Sequence, residues 1–475
     1  MAPKTSAPEL AGEMPSSYIA AETEGEYRPA AWWRRFEDET LDALVAEALR
    51  DNLDVAESAA RLERASAQAR VAMSALFPTI NAQAGSSYSD TPLSGSALGA
   101  FGIPRNRLEV ENYSLGLGAS YELDLFGRNR DDWRARRADA FAAREDFRAV
   151  QLAAAAQAIS TYFEIVDARR QIELTVLSVD VLTDRVERTE ERYQRGLVGS
   201  FELYQVRQQL RDLEASLPLR ESALDSAEGR LAVQLREYPD TLKERIAGPL
   251  RPRLVFEPVP VGLPSDSLAQ RPDVAAAWQR LEAARLAIGA RRAERFPSIR
   301  INGTAGAQGG APRNAAQFNA NWAVSLASNI VAPLFDAGRI TANIKAARAT
   351  YDERAAAYAR AVLNAYREAD FAIRDYEEKR QRYTLIVAQL DDAQASQDLQ
   401  ARRYRSGVGS YIAWLDALRA VYQVQSNLSA AGRDVALARL GVHRALGGDW
   451  GAAEGTAPVA MDEGAPAAVR GKEAQ

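Results

Sequence analysis

Asn52-Leu53-Asp54-Val55 is answered by Arg271-Pro272-Asp273-Val274, Arg61-Leu62-Glu63 by Arg280-Leu281-Glu282, and Phe77-Pro78-Thr79-Ile80 by Phe296-Pro297-Ser298-Ile299, all about 219 residues apart. Downstream, Phe126-Gly127-Arg128 answers Gly338-Arg339, and Tyr193-Gln194-Arg195-Gly196 answers Tyr404-Arg405-Ser406-Gly407, at about 211. Matches that stay collinear over most of a chain read as an internal duplication, with repeat 1 over residues 40–237 and repeat 2 over 260–447. The second copy is about eight residues shorter between its strands. Each copy reads helix, two strands, very long helix, tight turn, helix.

The strands announce themselves by alternation. Tyr113, Leu115, Leu117, Ala119, Tyr121, Leu123 and Leu125 are separated by Ser114, Gly116, Gly118, Ser120, Glu122 and Asp124, a strict period of two. Trp322, Val324, Leu326 and Ile330 alternate with Ala323, Ser325 and Asn329, and weaker alternation follows Phe77-Pro78 and Phe296-Pro297. Proline disfavours helix at the residue before it, so both strands start cleanly there. Such segments fit a membrane β-barrel, and a half-buried soluble sheet has the same period; length and aromatic placement favour the barrel. Four strands are too few to close a barrel, since the smallest need about eight. Strands of this kind must be shared among several chains.

The helices set a length. From Arg128 to Tyr193 there is neither proline nor glycine, and Leu152, Ala156, Ile159, Phe163 and Val166, then Leu174, Leu177 and Val181, recur at heptad-like spacing. That run predicts about 100 Å of helix, and Arg339 to Tyr404 predicts as much. Thr40–Leu76, Phe201–Leu235, Leu268–Arg295 and Tyr411–Leu446 are each about half as long, so two stacked end to end match one long helix. An ordinary antiparallel coiled coil explains the heptads but neither the halves nor the strands. The fold class expected is mainly α with a membrane β-barrel.

Composition removes most chemistry. The chain has no cysteine and one histidine, His443, so thiolate catalysis, disulfides and most zinc sites are excluded by inventory. His443 precedes Leu446-Gly447-Gly448 and reads as an ordinary helix-end histidine. A net charge of −5 argues against a broad basic surface, hence no nucleic-acid partner. No enzyme, cofactor or metal is expected. No apolar run reaches the ~18 residues of a membrane-spanning helix, and Met1-Ala2-Pro3-Lys4 does not open a signal peptide.

Tyr121-Glu122-Leu123-Asp124-Leu125-Phe126-Gly127-Arg128, Gly262-Leu263-Pro264-Ser265-Asp266, Arg271-Pro272-Asp273, Ile288-Gly289-Ala290, Arg295-Phe296-Pro297-Ser298-Ile299, Arg403-Tyr404-Arg405-Ser406-Gly407 and Ala445-Leu446-Gly447-Gly448 together resemble the outer membrane factor family. The resemblance covers residues 30–450 and is greater to the OprM and NodT branch than to TolC. It implies a homotrimer with a twelve-stranded barrel in the outer membrane and an α-helical barrel reaching into the periplasm. Partners implied are a periplasmic adaptor, an inner-membrane transporter of the RND type and outer-membrane lipid. Members of this branch are commonly acylated at an N-terminal cysteine; Met1 stands at that place, so a form without leader and lipid is expected.

On this basis the chain divides into an N-terminal extended segment (1–39), helical-barrel segments (40–78, 125–237, 267–297 and 333–447), strands with extracellular loops (79–124 and 298–332), and an equatorial segment with a flexible tail (238–266 and 448–475). The turns Arg195-Gly196-Leu197-Val198-Gly199 and Ser406-Gly407-Val408-Gly409 reverse the helices, where glycine supplies positive φ. The resemblance makes Gly196, Leu197, Gly407 and Val408 adaptor contacts, beside their plain role in ending helices. Ile412, Asp416 and Arg419 share one helix face at i, i+4 and i+7. The resemblance makes them gate positions, an apolar ring and a carboxylate ring that couples to neighbouring Arg419 groups. Tyr404 and Glu202 are then hydrogen-bond partners between hairpins, while Gly409-Ser410 replaces the usual polar partner. A solvated helix face is the plainer reading of the same residues. Two rivals stay open: a duct for type I protein secretion, and a structural coiled-coil protein outside any membrane.

Overall fold

The computed structural model describes residues 2–3, 32–92, 107–250, 252–259, 268, 270–315 and 321–447. The expected Gly262–Asp266 motif, the tail from Gly451 and nearly all of the start up to Ala30 lie outside them. The elements run α1 (Glu39–Asp51), α2 (Leu53–Ser74), β1 (Thr79–Pro92), β2 (Arg107–Leu123), α3 (Arg128–Gln194), α4 (Ser200–Gln234), α5 (Pro239–Arg245), α6 (Pro272–Ala293), β3 (Ser298–Gly309), β4 (Trp322–Val331), α7 (Arg339–Arg405) and α8 (Tyr411–Ala445). Long helices α3 and α7 have 67 residues each, and α4 and α8 have 35 each.

The sequence predicts one helix over Thr40–Leu76; the structure divides it at Asn52. That residue is extended (φ −61°, ψ 132°) and its side chain accepts from the N–H groups of Asp54 and Val55 at 2.8 and 3.3 Å. An asparagine that satisfies the first donors of a new helix outcompetes continuation of the old one. The predicted start of α6 at Leu268 moves to Pro272, a residue suited to the first helical turn because it has no N–H to leave unpaired.

Two compact units make up the chain: residues 1–8, 63–142 and 278–357, and residues 9–62, 143–277 and 358–475. The first holds one antiparallel sheet, order β1-β2-β3-β4. Its registers run Thr79↔Ser120 to Pro92↔Arg107, Tyr113↔Gly309 to Leu123↔Ile299, and Ser298↔Val331 to Ala307↔Trp322. The middle pairing, β2 with β3, joins repeat 1 to repeat 2. Among the described residues, the outer edges of β1 and β4 carry no further strand.

The second unit holds the largest apolar core. Leu41, Leu44, Ile159, Tyr162, Phe163, Leu231 and Leu235 are buried together, and Phe36 meets Phe163 edge to face at 4.9 Å. Asp38 orients this cluster: it caps α1 through Thr40 N–H at 2.9 Å and accepts the hydroxyl of buried Tyr162. Of the predicted seam on α3, Leu152, Ala156, Ile159, Phe163, Leu174 and Val181 are buried, but Leu177 is exposed and Leu182 is buried two turns from Leu174. A second cluster, with Val435, Val442, Tyr376 and Ala369, packs α8 on α7. Arg439 is enclosed there, donating to the Glu257 carbonyl at 2.6 Å and Tyr376 Oη at 3.0 Å. His443 is buried beside it, its pKa pushed well below the usual range by burial, with Arg439 and Arg35 adding, so it is a neutral core residue.

Candidate functional site

Two surfaces carry the functional reading, one in each unit. In the sheet, one face presents Ile80, Ala82 and Ala84 of β1, Leu115, Leu117 and Tyr121 of β2, Ile299, Ile301 and Ala305 of β3, and Val324, Leu326 and Ile330 of β4. The other presents Asn81, Gln83, Ser114, Ser120, Asn302, Thr304, Ser325 and Asn329. Polar groups on that face pair across strands, Ser120 with Asn302 at 2.8 Å and Thr304 with Ser325 at 2.6 Å. On the apolar face, Leu326 is 79% exposed, Ile80 69% and Val324 62%. A row of large apolar groups left in contact with solvent marks a surface built for another medium. From Tyr113 to Leu123 the apolar stripe is about 35 Å long, enough to cross a hydrocarbon layer when tilted. No helix among the described residues is long and apolar enough to cross a membrane.

In the other unit, the two helical reversals are built alike. Gly196 (φ +73°) and Gly407 (φ +76°) end α3 and α7. Gly196 and Leu197 donate back to the carbonyls of Tyr193 and Arg192, and Gly407 and Val408 to those of Tyr404 and Arg403. This paired closure needs a left-handed residue, which only glycine adopts without steric cost. Gly409 is constrained as well, because a Cβ there would lie 2.8 Å from Arg403 Cβ. Leu197 and Val408 stand out into solvent, joined by Phe201 and Tyr204 of α4, which the sequence reading did not select.

Behind the tips, α8 is fastened to α3. Arg185 forms an ion pair with Asp416, and Tyr411 Oη donates to Asp184. That hydrogen bond, with burial adding, pushes the Tyr411 phenol above its ordinary pKa, so it keeps its proton and remains a donor. Arg188 lies 5.6 Å from the centre of the Tyr411 ring. Further along the same pair of helices, Ser429 donates to Asp167 at 2.7 Å, Arg433 pairs with Asp167 at 2.7 Å, and Gln171 donates to the Ser426 carbonyl at 2.8 Å.

All five residues expected at a gate are among the described residues. Ile412, Asp416 and Arg419 all lie on α8, and Asp416 is held by Arg185 of the same chain. Arg419 reaches Gln209 at 3.5 Å. Tyr404 contributes its ring instead of a described hydrogen bond, stacking on Trp414 at 5.9 Å and tilting against Tyr411 at 5.0 Å. Trp414 Nε1 donates to the Gln397 side-chain oxygen at 2.9 Å. Glu202 is exposed in the first turn of α4, where a carboxylate complements the helix N-terminus. Asp184, Arg185, Tyr411 and Trp414 were missed; an aromatic pair at the start of α8 was the available signal.

The sequence pattern of the outer membrane efflux protein family matches residues 44–235 and again 263–448. Among curated relatives, the pyoverdine export outer membrane protein OpmQ of Pseudomonas aeruginosa is 28% identical over 439 residues, covering 91% of this chain and 90% of that one. The probable outer membrane lipoprotein SilC of Salmonella typhimurium is 28% identical over 431 residues, covering 89% of each chain. Among solved structures, the outer-membrane channel OprN superposes with a TM-score of 0.84 at 26% identity, over 95% of this chain and 99% of that one.

Proposed function

The chain belongs to the outer membrane efflux protein family, and from that membership we propose that three copies of it build one exit duct, with a periplasmic aperture that opens when an adaptor and an inner-membrane pump engage it. Proteins of this family are passive outer-membrane efflux channels, not enzymes, and this chain is one of them. The observation that carries the homotrimer is the sheet: among the described residues it has four strands, an exposed apolar face and two edges without a further strand. An unpaired backbone edge cannot lie in hydrocarbon, so the edges must be joined by other copies until the cylinder closes. Three copies give the twelve strands of the expected barrel. Its polar face, which also carries the Glu122–Arg300 ion pair, then lines a wet lumen, and small compounds are the cargo class. The lipoprotein name of SilC supports an acylated native form here too.

In the other unit, the glycine reversals present Leu197, Val408, Phe201 and Tyr204 as the surface that a periplasmic adaptor covers. The fastening of α8 to α3 through Arg185–Asp416 and Tyr411–Asp184 is the lock that holds the aperture narrow. Partly exposed ion pairs stabilise by about 0.2–1 kcal/mol each, small enough for adaptor binding to outweigh. An inner-membrane RND transporter supplies the energy. The double variant Leu197→Asp, Val408→Asp tests the tip assignment: it will still form channels in planar bilayers but lose capture of a periplasmic adaptor that binds the wild type, and undiminished capture would remove these residues from the interface.

A further inference from the structure

Phe126, in the turn after β2, stacks on Phe296, just before β3, with ring centres 4.6 Å apart and planes 13° from parallel. This pair closes the joint at which repeat 1 meets repeat 2. Because the chain is duplicated, both rings have counterparts. Leu334-Phe335, in the turn after β4, stand for Leu125-Phe126, and Phe77, just before β1, stands for Phe296. Both counterparts are more open: Phe335 is 91% exposed where Phe126 is half-buried, and Phe77 is 51% exposed against 37% for Phe296.

The helices that lead into these turns show the same imbalance. Ala290 of α6 is 6% exposed, whereas Val71, its counterpart on α2, is 71% exposed. The strands agree, since β2 and β3 pair along eleven registered positions while the equivalent edges of β4 and β1 are open among the described residues. Corresponding elements more covered in one setting than in the other lack the neighbour that covers the first. For β1 and α2 that neighbour has the chemistry of β4 and the start of α7, and only a second copy of this chain supplies it.

We infer that Phe335 of one copy stacks on Phe77 of the next, repeating between subunits the aromatic joint that Phe126 and Phe296 make within one. The inference rests on the homotrimer reading and adds the contact that seals its seam at the membrane edge. Two large rings in offset contact contribute both buried area and a favoured geometry, so the seam gains a fixed register as well as adhesion.

The chain contains no cysteine, which gives a clean test. The full chain carrying Phe77→Cys and Phe335→Cys is purified in detergent, its mass is measured under native conditions, and it is oxidised and run on a denaturing gel. Covalent dimers and trimers are expected, with each single variant and the Phe126→Cys, Phe296→Cys pair staying at monomer mass. Native trimers that do not cross-link overturn the clasp and leave the trimer intact; wild-type protein that is monomeric overturns the trimer itself. Should the double variant fail to assemble, Phe335→Ala and Phe335→Tyr decide: the first lowers the dissociation temperature of the trimer and the second restores it. Equal dissociation temperatures for wild type and Phe335→Ala would overturn the clasp.

Discussion

Planar bilayers containing the double variant Arg185→Ala, Tyr411→Phe will carry several-fold more current per channel than those containing the wild type. The variant removes the two α3–α8 fasteners nearest the helical reversals in every subunit, the ion pair to Asp416 and the hydrogen bond to Asp184, and leaves those at Asp167 and Gln171. Each is a modest contact, yet a loss of about 1 kcal/mol already changes a two-state ratio about five-fold, and the losses recur in three subunits. Tyr404→Phe is the control. Its described contacts are made by the ring, which phenylalanine keeps, so its conductance will match the wild type. Unchanged current in the double variant would detach these residues from the aperture.

The second large effect lies in the sheet. Gly116 and Gly306 face each other across β2 and β3. A Cβ on Gly306 would come 2.5 Å from the Leu115 carbonyl oxygen and 2.7 Å from Gly116 Cα, and one on Gly116 would come 2.7 Å from the Ala305 carbonyl oxygen. Backbone cannot swing aside as a side-chain tip does, so Gly306→Val must part the two strands that join the repeats. Forced overpacking typically costs about 1–3 kcal/mol, and here ladder hydrogen bonds are at stake as well. Circular dichroism on heating in detergent will show the Gly306→Val sheet melting well below wild type. Gly118→Ala is the contrast, since its Cβ would meet only the Gln83 side chain at 3.6–3.7 Å, and its melting will scarcely move. Equal stability of the two variants would refute the close approach.

Much of the fold was legible because its signals are periodic. Alternation from Tyr113 onward located β2, proline located the starts of β1 and β3, and the absence of proline and glycine gave the length of α3. The break at Asn52 was not read, although a capping asparagine before Leu53-Asp54 is its visible cause. Positive φ at Gly196 and Gly407 followed from the need to reverse a helix sharply. Fasteners between α3 and α8 were hidden for a different reason. Asp184 and Tyr411 are 227 residues apart, and on α3 beyond Leu182 the seam passes from apolar to polar residues, so heptad reading loses it where the contacts matter. Asp416 is legible as a carboxylate on the α8 face, but its partner within the chain, Arg185 of α3, is not. The meeting of Gly116 with Gly306, 190 residues away in the chain, is set by register and has no local signature.

Everything functional here depends on a subunit with too few strands to enclose a pore alone. The most direct measurement is the native mass of the full chain in detergent, taken before and after boiling. Three subunits of 51.9 kDa in one particle, largely helical with a small sheet component and falling to single chains on heating, is the predicted result. A single-chain particle that stays folded and dispersed in plain buffer would contradict it.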